Sequence, residues 1–89
     1  MSKEALVILS EECAEVTQSV SKLLRFGLDS HKNRKDLNDE VGDVLAMIAI
    51  LHYHDILDED AIMKRVPVKL KKLKKYSDIE GLDDILENL

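Results

Sequence analysis

The sequence has no tryptophan, one cysteine, one proline and only three glycines in 89 residues. The single cysteine, Cys13, excludes a disulfide framework and suits a reducing compartment, so a cytoplasmic protein is expected. Positive charge is also short: 13 basic against 18 acidic residues leave a net charge of −5. Nothing in that balance would neutralise a run of phosphates, which argues against a nucleic-acid partner. Long apolar runs are missing too. The longest, Val44 to Leu51, falls well short of the roughly 18 residues of a membrane span, so no membrane partner is expected. Lys3 and Glu4 precede only a short apolar run, without the h-region of a signal peptide.

What remains is rich in apolar residues, 45% of the chain, with little to interrupt them. The length corresponds to one small domain over residues 1–89, enough for about three helices but short for a deep core of its own. Apolar surface that so short a chain cannot cover points to an oligomer.

Ser2 is a candidate N-cap, with Glu4 in the favourable first turn. Leu6, Leu9, Cys13, Val16, Val20 and Leu23 recur at three- and four-residue steps and predict a first helix to about Phe26. Gly27 suits its C′ position and Arg25 the C-terminal dipole. Cys13, inside the stripe, reads as a core residue rather than a nucleophile. Residues 28–35 form a polar, basic connection in which Ser30 or Asn33 caps the next helix. Leu37, Val41, Val44, Leu45, Ile48 and Leu51 mark that second helix. Beyond Asp43 it is apolar nearly all round, as a helix buried on every side would be; in so small a protein its far side would meet another subunit. Asp58, followed by Glu59 and Asp60, caps a third helix running to about Tyr76, with a kink or local break expected near Arg65 to Pro67. The domain core is then about 4–76, and 77–89 is an acidic tail or short helix carrying Leu82, Ile85, Leu86 and Leu89. The fold class is all-α: a helical hairpin plus a third helix, assembling into an oligomer with a four-helix-bundle-like core.

Two acidic motifs stand out inside the helices. The chain holds six acidic pairs at i,i+3 where random placement gives about 3.5, so spacing alone selects nothing. Context selects Glu12–Glu15 and Glu40–Asp43, which lie mid-helix beside strong apolar stripes. On a helical wheel Glu12 sits about 70° from the apolar centre of the first helix and Glu15 about 130°, with Glu11 nearly opposite. On the second helix Glu40 sits about 60° away and Asp43 about 120°. Facing edges of two packed helices would thus gather four carboxylates at one seam. Such a cluster is costly unless cations sit in it, and carboxylate oxygens suit a hard ion such as magnesium. A solvated acidic face is the competing reading. Gly42, between the two acids, allows either close helix packing or room for a ligand beside the backbone.

Lys22 and Arg25 lie beyond Glu15 on the same helix, where they would hold phosphates or serve as solvated helix-end cations. The lysines at 69, 71, 72, 74 and 75 read mostly as a solvated face. The three histidines are uninformative.

Glu11-Glu12-x-x-Glu15 followed by Glu40-x-x-Asp43, with Val20 to Gly27 before the connection and Gly42 to Ala46 after Glu40, resembles the all-α nucleoside triphosphate pyrophosphohydrolases of the MazG type over roughly residues 4–76. The resemblance implies a homodimer or homotetramer that binds magnesium, with manganese as a substitute, and cleaves ribo- or deoxyribonucleoside triphosphates to monophosphate and pyrophosphate in a house-cleaning role. It implies Glu12, Glu15, Glu40 and Asp43 as metal ligands and Glu11 as accessory, with Glu12 or Glu15 orienting or deprotonating the attacking water. Lys72, Lys75 and Tyr76 become nucleotide contacts on the same ground. The departure from the family's pattern is a compact chain with a short loop between the motifs. Two other classes compete. A di-iron helical protein needs Glu-x-x-His pairs, and no Glu here has a His three residues later. A non-catalytic helical dimer acting as an adaptor would carry the acids as a solvated stripe.

Overall fold

A computed structural model describes residues 3–89, which form four helices in the order α1 (Glu4–Phe26), α2 (His31–Tyr53), α3 (Glu59–Tyr76) and α4 (Leu82–Glu87). No strand occurs among the described residues. The chain divides into two compact units, one running to Leu57 and the other spanning Asp58–Leu89. No described helix is long and apolar enough to cross a membrane.

The first unit is a helical hairpin in which α1 packs on α2. Ser2 lies outside the described residues; Lys3 occupies the N-cap of α1 without a side-chain capping bond. Gly27 ends α1 at φ +100°, a conformation that costs glycine little and other residues much. The Gly27 amide donates to the Leu23 carbonyl at 2.9 Å. α2 begins at the earlier of the two starts the sequence allowed. Ser30 caps it, its hydroxyl accepting from the Asn33 amide at 3.2 Å, so residues 31–35 are already helical. Polar residues there are compatible with a solvated first turn. Arg34 reinforces the corner by donating to the Leu28 carbonyl. α2 ends where Asp55 turns left-handed at φ +61°, which lets the Ile56 amide donate to the Leu51 carbonyl at 2.9 Å.

Leu23, Met47 and Leu51 form the buried apolar centre of the hairpin, with Leu51 only 1% exposed. Ser19 and Asn33 are buried beside them. The rest of the apolar stripe of α1 divides: Leu9 and Val16 are half-buried, while Leu6, Val20 and Cys13 are exposed. Cys13 is therefore not a core residue of the single chain. Leu45, Ile50 and Tyr53 of α2 are exposed as well, so within one chain the far side of this helix is uncovered.

In the second unit Asp58 caps α3 by accepting from the Ala61 amide at 3.3 Å, and Glu59 and Asp60 follow in the first turn. Pro67 does not break the helix, which runs unbroken from Glu59 to Tyr76. The proline removes the donor that would meet the Met63 carbonyl. Met63 itself is exposed. At the other end the Ser77 hydroxyl donates to the Leu73 carbonyl at 2.7 Å and accepts from the Ile79 amide at 3.3 Å, reversing the chain toward α4. Leu82 is buried there, and Lys74 pairs with Asp83 at 2.5 Å.

Candidate metal centre

Folding of the hairpin decides which acids meet. α1 and α2 run past each other, so a side chain near the middle of one faces the middle of the other. The structure brings Glu12 of α1 together with Glu40 and Asp43 of α2, one carboxylate oxygen of each lying within 4.8 Å of the others. Glu12 and Glu40 are half-buried and Asp43 is exposed, which is the placement their wheel angles require. Glu15 is exposed and outside this triad, and Glu11 is exposed on the solvent side.

The electrostatics follow from crowding like charges. Partial desolvation pushes the Glu12 carboxyl above its ordinary range, and the charges of Asp43, Glu15 and Glu11 push it further. A hydrogen bond with Asp43 favours the same protonated form. Glu40 is raised by desolvation first and then by Glu15, Asp43, Glu12 and Asp36. Glu15 thus acts on both half-buried acids although it stands outside the triad. Without a counter-ion, the repulsion favours the protonated forms of Glu12 and Glu40 over their charged forms.

A cation fits this donor set. All three converging groups are carboxylates, and among the described residues no His or Cys joins them. Oxygen-only donors select hard ions such as magnesium or manganese over zinc or copper. The excess negative charge that raises Glu12 and Glu40 is of the kind a divalent ion would neutralise.

Asp36 is the acid that sequence reasoning passed over. It precedes Glu40 by one turn, is half-buried, and adds to the field on Glu40; the i,i+4 spacing was the available signal. Lys32 approaches Asp36 at 4.0 Å and Lys35 pairs with Asp39 at 2.9 Å, both at i,i+4. The other predicted contacts are placed as follows. Lys22 and Arg25 are exposed on α1, the Arg25 guanidinium lying 5.7 Å from the Phe26 ring centre. In the second unit Lys72, Lys75 and Tyr76 line a shallow depression with Val68 and Lys71. The Lys75 ammonium lies 5.4 Å from the Tyr76 ring centre. Gly42 meets nothing within 4 Å of where a Cβ would stand, so no neighbour within the chain demands a glycine there.

An acidic triad shared by the two arms of a helical hairpin defines the class: an all-α domain with a carboxylate seam. The model of the MazG nucleotide pyrophosphohydrolase domain matches residues 2–77, most of the chain, and this protein belongs to that family. No curated protein and no solved structure matches it.

Proposed function

We propose that this chain is a magnesium-dependent pyrophosphohydrolase that cleaves ribo- or deoxyribonucleoside triphosphates to the monophosphate and pyrophosphate, as a house-cleaning enzyme of the cytoplasm. The observation that carries the proposal is the convergence of Glu12, Glu40 and Asp43 from two helices onto one oxygen-only cluster, in a chain of this family.

In this reading Glu12, Glu40 and Asp43 hold the ion, with Glu15 as the fourth ligand and Glu11 as accessory. A bound magnesium, for which manganese substitutes, supplies charge neutralisation at phosphate oxygens. The chain's own residues do the rest. Glu12 or Glu15 orients a water and accepts its proton. The water oxygen bonds to the α-phosphorus, the bond from that phosphorus to the α–β bridging oxygen breaks, and pyrophosphate leaves with the bridging oxygen. Lys22 and Arg25 bind phosphates, and Lys72, Lys75 and Tyr76 contact the nucleotide. The protein works as a homodimer or homotetramer, which would cover the apolar side chains a single chain leaves exposed.

The test is pyrophosphate release from a panel of ribo- and deoxyribonucleoside triphosphates with magnesium, manganese or chelator. Release that requires the metal and is lost in a folded Glu40→Gln variant is expected. No release from any nucleotide, together with no change in melting on adding magnesium, would overturn the proposal in favour of a non-catalytic helical adaptor.

A further inference from the structure

We draw no further inference here: the strongest candidate, the apolar edge of the α1–α2 hairpin where Cys13, Val16, Val41 and Val44 line a shallow groove, carries nothing beyond the assembly already proposed, because nothing in the structure shows what covers it.

Discussion

At the scale of single residues, the upward shift of Glu12 and Glu40 makes the carboxylate seam measurable without any substrate. Both are held above the ordinary value of 4.5 in the folded chain. The folded state therefore binds more protons than the unfolded state once pH exceeds that value, and stability falls as pH rises. The contribution of these two acids is fullest below about pH 4.5 and is lost as pH climbs through their raised folded values. In chelator, the difference in melting temperature between wild type and Glu40→Gln isolates the effect from the other carboxylates. The variant is expected to melt higher at neutral pH and to lose that advantage toward pH 4. A variant that melts lower than wild type at neutral pH would show that Glu40 is not under repulsion. On the proposed function the order is expected to reverse with magnesium, because an ion that binds only the folded site would stabilise wild type, by about 2.7 kcal/mol at a hundredfold excess over Kd. On the proposed function, catalysis depends on the same residues. Glu12→Gln, Glu40→Gln and Asp43→Asn should each lower kcat/KM at least ~100-fold, the upper end of what losing even an outer partner of a metal ligand costs. Steady-state pyrophosphate release measures it, and a loss under tenfold in all three would place the chemistry elsewhere.

At the scale of elements, the sequence is most legible where a side chain acts on its own backbone. Gly27, Asp58 and the three apolar-periodic segments located the helices, because caps and stripes are local physics. Sequence reasoning left one boundary open and misjudged one interruption. The polar residues 31–35 allowed a start at either Ser30 or Asn33, and the hydroxyl of Ser30 is enough to start α2 before its first apolar position. A kink or local break was expected near Arg65 to Pro67, yet α3 runs unbroken through Pro67. Wheel angles bring Glu12, Glu40 and Asp43 to the seam, but Asp36 was passed over, and the distance of Glu15 depends on helix crossing, which no single-helix pattern encodes. Ser30→Ala should cost about 1 kcal/mol through loss of the cap, read from chemical denaturation. Gly42→Ala should do the opposite. The added methyl meets nothing within the chain, and alanine in a helix interior is worth about 0.5–1 kcal/mol over glycine. If Gly42→Ala destabilises instead, that face of α2 is in contact with another copy.

At the scale of the whole molecule, the balance between buried and exposed apolar residues is the feature that a single chain does not explain. The large apolar side chains buried in the described residues are Leu23, Met47, Leu51 and Leu82. Against these, Leu24, Phe26, Leu28, Leu45 and Tyr53 of the hairpin unit are each more than half exposed. Composition made this surplus visible in advance, since a chain of this length buries only about 60% or a little more of its unfolded surface; it did not show which faces go uncovered, because that depends on tertiary packing. Four buried side chains leave little reserve, so Leu51→Ala, which empties the most enclosed position, should cost about 2–5 kcal/mol. Whether the fold survives that loss depends on assembly. For a protein whose exposed apolar surface is covered by its own copies, unfolding is coupled to dissociation and melting temperature rises with protein concentration. A tenfold dilution of wild type should therefore lower Tm, while sedimentation at the higher concentration reports a dimer or tetramer. An unchanged Tm with a sedimenting monomer would mean that the hairpin stands with its apolar side chains in water. The carboxylate seam would then have to bind its ion and nucleotide within one chain.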